Sequence, residues 1–426
     1  MVNQSFDVER MSASSSITDA VLTSDTSQRE ALREVLFEIA EALTATTGGP
    51  REASPALAGG AGSRALFYHY LGTVTGRDDF INLAWQYAHT CADALSDVTL
   101  SPSLYGGVAG IGWLIQHLQS RENHPTYDLA DVDDAMLAAL DGDAGRGFDL
   151  INGVVGIGTY FLERCPLRSA EHGLSRVVSI LESTAEGDAS TATWRAGPQL
   201  LVADQRPTYP LGRYDLGIAH GTAGVVAFLA SAVINSTRVE AARSLLRRAV
   251  GWFQVRRFER MSVFSYPHWF APGAEEGAKT TRAAWCYGDP GVGFALWKAG
   301  CALEDVSLQE FAEQVILRAL GRTMPEAAVV DAPLCHGAAG LAYIAQRFAR
   351  ERGTDASQAT DERWWRHVLQ LRRVGRGVAG FESFAGGQDG WCPDGSFLTG
   401  AAGIGLAIIA QLHPDHHTWD RLLLMS

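Results

Sequence analysis

Cysteine and histidine residues stand at matching positions in two distant segments of the chain. Cys286 and Cys335 each lie two residues before the first glycine of a Gly-x-x-Gly pair, and His336 follows Cys335 directly. Thiolate and imidazole groups are ligands that zinc prefers, and three protein ligands leave a fourth position open for a substrate. Because a single buried cysteine is usually a small hydrophobic residue, the prediction of a zinc site requires a fold that brings the two segments together.

The Gly-x-x-Gly pair recurs seven times, each time before an apolar segment of helical length. Amphipathic helices lie before and between the pairs; residues 27–43, for example, place Leu32, Leu36 and Ile39 on one stripe. Seven such hairpins that close on themselves predict an all-α fold, an α/α toroid with seven inner and seven outer helices. The first glycines of the pairs are Gly59, Gly107, Gly153, Gly221, Gly288, Gly337 and Gly400.

A closed ring would bring the candidate ligands together. Equivalent positions of its repeats lie at the same height on the same rim, and Cys286 belongs to the repeat next to that of Cys335 and His336. These three residues are therefore predicted to bind one Zn²⁺. His220 stands directly before Gly221 in the preceding repeat and is expected beside the metal.

Some intervals between successive Gly-x-x-Gly pairs are longer than the others. They predict inserted segments that extend outside the two rings of helices. Residues 184–214 are expected to form a small irregular or β-containing insert, with a strand at 200–202. Residues 1–26 are rich in serine and threonine and are predicted to be a disordered N-terminal segment. Residues 27–426 then form one toroid domain.

Two further loops are expected at the glycine rim, at residues 254–281 and 373–397. Aromatic residues of the first loop, such as Tyr266 and Trp269, either line the mouth of the site or pack in a minor core. Cys392 in the second loop is a weaker candidate for an additional metal ligand.

Charge and composition exclude several classes of protein. The net charge of −13, from 48 acidic and 35 basic residues, argues against nucleic-acid binding and against docking on an anionic membrane. No apolar run is long enough to cross a bilayer. Six cysteines are too few for a disulfide scaffold, and the N-terminus lacks the apolar core of a secretory signal. We therefore expect a cytoplasmic protein that is not an integral membrane protein.

The motifs around these residues resemble the lanthionine synthetase C-like family, the lanthipeptide cyclases. This resemblance covers about residues 30–412. It implies an α/α toroid with one zinc ion held by two cysteines and a histidine. It also implies the formation of (methyl)lanthionine thioether rings, by addition of cysteine thiols to dehydroalanine or dehydrobutyrine in a dehydrated, ribosomally made precursor peptide. The matching segments are GIAHGTAG from Gly217, WCYGDPGVG from Trp285, CHGAAG from Cys335, DLINGVVGIG from Asp149 and SFLTGAAGIG from Ser396.

Catalytic roles follow from the motifs and this resemblance. His220 is the candidate acid or base that protonates the enolate formed by thiol addition. Asp149 either orients His220 or caps the N-terminus of a helix. Arg282, four residues before Cys286, matches a family residue that could stabilise the enolate oxygen, and otherwise forms a loop salt bridge. Tyr287 either hydrogen-bonds in the site or packs against it.

The resemblance also indicates partners. The chain has no room for the dehydratase or kinase-like domains of fused synthetases, so we expect a stand-alone cyclase. Its substrate is then a precursor peptide with a leader, dehydrated by a separate enzyme. An exporter is a further candidate partner, in a complex peripherally associated with the membrane. The alternative is a relative that adds glutathione or another thiol to dehydrated residues. A toroid glycosidase is excluded because the positions before the glycines hold no paired acids.

Overall fold

The computed structural model describes residues 25–45, 54–121, 127–142, 147–235, 240–256, 264–273, 281–353, 358–386 and 390–426. These residues form fifteen α-helices and six short strands. Within the described ranges, no helix combines the length and the apolar character needed to cross a membrane. The helices are α1 (Asp25–Ala45), α2 (Ala61–Thr75), α3 (Asp78–Asp97), α4 (Val108–Gln119), α5 (Ala130–Asp141), α6 (Val154–Arg164), α7 (Arg168–Thr184), α8 (Thr222–Asn235), α9 (Glu240–Arg256), α10 (Asp289–Leu303), α11 (Val306–Leu320), α12 (Met324–Ala327), α13 (Ala338–Arg352), α14 (Gln358–Leu371) and α15 (Ala401–Leu412).

Seven of the described helices form a closed inner ring. Helices α2, α4, α6, α8, α10, α13 and α15 each contact the next in this order, and α15 contacts α2. An outer helix packs on each of them: α3 on α2, α5 on α4, α7 on α6, α9 on α8, α11 on α10, α14 on α13 and α1 on α15. The predicted α/α toroid is confirmed.

Burial separates the two rings as the sequence pattern predicts. In the inner helix α8, every residue from 222 to 233 is buried. In the outer helix α1, burial follows the helical period and includes Leu32, Leu36, Ile39 and Leu43. An apolar stripe on one face lets an outer helix cover the ring and keep its other face in water. The hydrophobic core therefore lies mainly between and within the two rings.

The glycine pairs allow each rim loop to fold back over the start of the helix that follows it. A Cβ at Gly221 would lie 2.4 Å from the carbonyl oxygen of Asp215, six residues earlier, and the backbone could not follow this path. In the first repeat the equivalent glycine is Gly60. Helix α2 begins directly after Gly60, and a Cβ added at this position would meet the carbonyl oxygen of Ser54. The predicted register, which began at Gly59, was one residue too early.

The excursions contain three short antiparallel strand pairs. Strands β1 (Glu186–Gly187) and β2 (Ala192–Thr193) pair within the insert. Strand β3 (Tyr214–Asp215) joins the insert to β4 (Trp269–Phe270) in the next rim loop. The loop before the seventh repeat holds the hairpin of β5 (Glu382–Gly386) and β6 (Gly390–Pro393).

The strand predicted at 200–202 was wrong, and the predicted disordered N-terminal segment stays a prediction. No strand forms at 200–202; instead Pro198–Leu200 is a 3₁₀ helix. Proline at its first position presets the backbone angle of such a turn and provides no N–H for a strand partner. Residues 1–24 of the predicted disordered segment lie outside the described residues, and α1 begins at Asp25, before the predicted boundary at 26.

At the glycine rim, backbone hydrogen bonds join the first repeat to the second and the fourth to the seventh in succession, through the residues two positions before the first glycine. We call this row the rim ladder. In each bond the backbone N–H of one repeat donates to the carbonyl oxygen of the equivalent residue in the next repeat. The donor and acceptor pairs are Ala219 and Cys286 (3.4 Å), Cys286 and Cys335 (3.2 Å), Cys335 and Leu398 (2.8 Å), and Ala58 and Tyr105 (2.9 Å). A further bond from Phe397 N to the Ala58 carbonyl oxygen, at 2.7 Å, links the last repeat to the first. The ladder holds equivalent residues of neighbouring repeats side by side.

The C-terminal segment fills the inside of the ring below this rim. It contains the 3₁₀ helix Thr418–Leu423. Tyr105, Trp285 and Lys298 donate hydrogen bonds to three successive carbonyl groups, those of residues 422–424, at 2.7, 3.1 and 3.1 Å. Because these donors belong to the second and fifth repeats, the segment braces opposite parts of the ring.

A buried ion pair anchors this segment, and its removal should destabilise the protein. Arg347 Nε and the Tyr343 hydroxyl donate to Asp420 Oδ2 at 2.8 and 2.7 Å. Asp420→Asn should lower the free energy of unfolding by about 3 kcal/mol, because a buried cation loses its charged partner. The matched variant Asp415→Asn breaks an ion pair to Arg350 in which Asp415 is 94% exposed, and should cost less than about 1 kcal/mol. Urea unfolding followed by circular dichroism measures both, and equal midpoints would contradict the anchor.

Candidate functional site

The three predicted metal ligands meet at the glycine rim. One ligand atom each of Cys286, Cys335 and His336 lies within 4.8 Å of the other two. The rim ladder causes this meeting, since Cys286 N donates to the carbonyl oxygen of Cys335 and the two backbones run side by side. Cys286 is buried, whereas Cys335 and His336 are partly exposed. The cluster could hold a metal and remain open on one side.

Charges in the cluster favour a thiolate. The hydrogen bond from Cys335 and the positive charges of His336 and Arg282 hold the pKa of Cys286 well below its usual range, against the effect of burial. For His336, burial lowers the pKa, but the interactions with Asp331 and Cys286 outweigh burial and raise the pKa to about 9. Without a metal, the cluster therefore contains an anionic sulfur beside a cationic imidazole, and a divalent cation would replace that proton.

Asp149 and His220 form a hydrogen-bonded pair on the same rim. The Oδ2 atom of Asp149 lies 2.8 Å from His220 Nδ1. Its Oδ1 atom accepts from the backbone N–H groups of Asn152 and Gly153, at 2.7 and 3.0 Å, just before α6. The carboxylate thus contacts His220 through one oxygen and holds the turn before α6 through the other, whereas α6 itself has no side-chain cap. The turn fixes Asp149, and Asp149 in turn fixes the imidazole.

This pairing controls the charge of His220. Burial lowers its pKa, but the hydrogen bond and charge of Asp149, with the charges of Asp215 and Cys286, outweigh burial and raise it above the ordinary value. The His220 side chain is 38% exposed, so a substrate can reach it. Since Nδ1 is held by Asp149, Nε2 is the nitrogen left for chemistry.

A buried network lies behind His220. The Tyr287 ring stacks on the imidazole, with centroids 6.2 Å apart. Arg213 Nε donates to Asp215 Oδ2 at 3.1 Å. Burial raises the pKa of Asp215 to about 6, although the charges of Arg213 and His220 act against this. Of the two interpretations of Tyr287, the described contacts include packing against His220.

Several of these residues share a position that the sequence reasoning overlooked. Asp215, Arg282 and Asp331 each stand six residues before the first glycine of their repeat. The two positions directly before each glycine drew attention because they hold cysteine and histidine. Charged residues stand six positions before the glycine in four consecutive repeats, from Asp215 to Asp394, and this row was the available signal for Asp215 and Asp331.

Arg282 and His268 lie beside the cluster. Arg282 is half-buried, and it forms no salt bridge with any carboxylate that the structure describes. Burial and the Arg282 charge lower the pKa of His268 to about 4, so this imidazole is neutral. His268 was not predicted; its ring centroid lies 5.7 Å from that of Tyr287. Cys392 instead donates to the Ser383 carbonyl oxygen at 3.7 Å and is not in the metal cluster.

Comparison with known proteins decides the family. The model of the lanthionine synthetase C-like proteins matches residues 52–424. The chain belongs to this family. This chain is 27% identical over 268 residues to the nisin biosynthesis protein NisC of Lactococcus lactis subsp. lactis. The alignment covers 59% of this chain and 63% of NisC. The solved structure of nisin cyclase has the same fold, with a TM-score of 0.73 and 21% identity, over 93% of this chain and 97% of that one.

The contact between Asp149 and His220 predicts how the imidazole titrates. In Asp149→Asn, burial still lowers the pKa of His220 but the opposing carboxylate charge is gone, so the pKa should fall below its wild-type value. Proton NMR titration of the imidazole C–H signals measures this, with the His220 signals identified by their absence in His220→Gln. A wild-type titration curve in Asp149→Asn would show that the carboxylate does not control His220.

Proposed function

We propose that this protein is a zinc-dependent peptide cyclase. It would add cysteine thiols to dehydroalanine or dehydrobutyrine and form (methyl)lanthionine rings in a dehydrated precursor peptide. The observation that carries the proposal is the meeting of Cys286, Cys335 and His336 on one rim with the His220–Asp149 pair. Family membership supports it, as do the names of the relatives, a nisin biosynthesis protein and a nisin cyclase.

The cluster has the chemistry of a zinc site. Two sulfurs and one imidazole nitrogen are a donor set typical of zinc, and the low pKa of Cys286 supplies one thiolate in advance. The buried Oδ1 atom of Asp331, whose other oxygen faces His336, has no hydrogen-bond partner among the described residues. A cation bound through His336 would compensate this buried charge. When bound, zinc would supply a Lewis acid that lowers the pKa of the substrate thiol.

His220 is assigned the proton transfer. As the C–S bond forms at the β-carbon, the electron pair of the C=C bond moves toward the α-carbon and the neighbouring carbonyl oxygen. His220 Nε2 would then deliver a proton to the α-carbon. The raised pKa of His220 keeps more of the imidazole protonated near neutral pH. The proton lost by the thiol reprotonates the imidazole through solvent, so the net reaction moves one proton from sulfur to carbon.

Arg282 and Tyr287 complete the proposed site. Arg282 is half-buried next to the cluster and has no described carboxylate partner, so its cation is available for the enolate oxygen. The neutral state of His268 beside it avoids a competing positive charge. Tyr287 stacks on His220 and would help to hold the imidazole in place. Asp149 holds the tautomer of His220.

The proposed reaction implies partners. The substrate is a ribosomally made peptide with a leader, and a separate dehydratase must first create its dehydrated residues. Because such a precursor is modified where it is made, we place the protein in the cytoplasm, in a biosynthetic complex that includes an exporter at the membrane. The alternative function, transfer of glutathione to dehydrated residues, would use the same residues with a free thiol as nucleophile.

Metal analysis tests the ligand set. The purified protein should contain about one zinc per chain, and Cys286→Ala and Cys335→Ala should each lose it, because either change removes one of three protein ligands. Cys301→Ala, which changes an exposed cysteine outside the cluster, is the matched control and should retain zinc. Elemental analysis after dialysis gives the ratio. Full zinc in both ligand variants would contradict the assignment.

Cyclisation of the dehydrated peptide tests the reaction. His220→Ala should retain zinc but lose ring formation, since His220 lies outside the ligand set and supplies the proton. His413→Ala, in the C-terminal segment, should behave as wild type. Mass spectrometry after alkylation counts the free thiols of the product. Normal rings in His220→Ala would remove its catalytic role. If wild type leaves all peptide thiols free and instead attaches added glutathione, the alternative function holds.

A further inference from the structure

In five of the seven repeats, the residue six positions before the helix-starting glycine has a common backbone role. In the sixth repeat the carbonyl oxygen of Asp331 accepts from Ala338 N at 3.0 Å, and in the seventh that of Asp394 accepts from Ala401 N at 2.9 Å. Ser101 does the same in the second repeat. Because the contact uses only the backbone, the side chain at this position is free to take another role.

The side chain of Asp331 is directed to a metal ligand. It is fully buried, and its Oδ2 atom lies 3.4 Å from His336 Nε2 and 3.0 Å from the backbone nitrogen of Phe384. The Oδ1 atom has no partner among the described residues. A buried carboxylate is costly unless it is well paired. One amide and one imidazole N–H therefore support this charge only in part.

This contact determines which imidazole nitrogen can bind a metal. With Nε2 of His336 engaged by Asp331, Nδ1 is the nitrogen available to join the two sulfurs. A carboxylate on the outer nitrogen fixes the ring orientation and tautomer and makes the inner nitrogen a better donor. His336 directly follows another ligand, so its ring needs such a support to point at the same ion.

We propose that Asp331 is the positioning residue of the metal centre, acting through His336 to set the affinity for the ion. The inference rests on the zinc site of the proposed function. Asp394, at the same position of the next repeat, provides the contrast: its carboxylate accepts from Ser396 N and the Thr399 hydroxyl, both at 2.7 Å, and not from a candidate ligand.

Zinc affinity in paired variants tests this role. Asp331→Asn keeps the size of the side chain and an acceptor for Phe384 N, but removes the charge. It should weaken zinc binding by about 10- to 100-fold. Asp394→Asn should bind zinc as wild type does. Competition with a chromophoric chelator measures the dissociation constants of the full chain. Wild-type affinity in Asp331→Asn, or an equal loss in Asp394→Asn, would overturn the proposal.

A double variant separates positioning from a purely structural effect. If Asp331 acts through His336, then Asp331→Asn should not weaken zinc binding further in the His336→Ala background. If it only anchors the β5–β6 hairpin through Phe384, the metal-free protein should melt at a lower temperature while its zinc affinity stays unchanged, and the proposal fails. These readouts do not use cyclisation. A wild type that binds zinc through Asp331 and His336 but closes no rings would overturn only the proposed function.

Discussion

Backbone hydrogen bonds between repeats decide where the reactive groups of this protein lie. Cys286 and Cys335 are 49 residues apart in the chain, yet the bond from one backbone to the other places them side by side. The ladder needs a rim where loops can run close to the helix starts, which the glycine pairs allow. Ring closure extends the constraint around the protein, because no repeat can shift without disturbing its neighbours. The metal cluster is thus a consequence of how the toroid closes.

The inside of the ring supports the rim from below. Trp285, next to Cys286, donates its indole N–H to the carbonyl oxygen of Leu423, and the C-terminal segment is held in turn by the buried pair of Asp420 and Arg347. A buried ion pair contributes little net stability, but breaking it leaves a charge without compensation. The C-terminal segment is therefore held in one position, and it restrains the rim residues that contact it, such as Trp285.

Two imidazoles with carboxylate partners lie beside the thiol groups, and their surroundings differ. His220 is held by Asp149 and is 38% exposed, which suits a group that exchanges protons with a substrate. His336 faces the buried carboxylate of Asp331 and is 15% exposed, which suits a group that keeps a fixed place. In both pairs the carboxylate raises the pKa of the imidazole against the effect of burial. In the proposed function, the same interaction would prepare one histidine for proton transfer and the other for metal binding.

The sequence alone determined the all-α toroid and its inner and outer helices, because glycine spacing and apolar periodicity are local patterns that recur in every repeat. It also predicted the cluster of Cys286, Cys335 and His336, since a closed ring places equivalent positions together. The sequence left the contact of Asp149 with His220 as one of two interpretations and did not predict the burial of Asp331 against His336, and the tertiary structure decided both. Those contacts depend on which carboxylate rotamer faces a neighbouring loop, and no spacing along the chain contains that information. The one-residue shift of the first repeat has the same origin: Gly59 and Gly60 are alike in sequence, and only the Ser54 carbonyl oxygen distinguishes them.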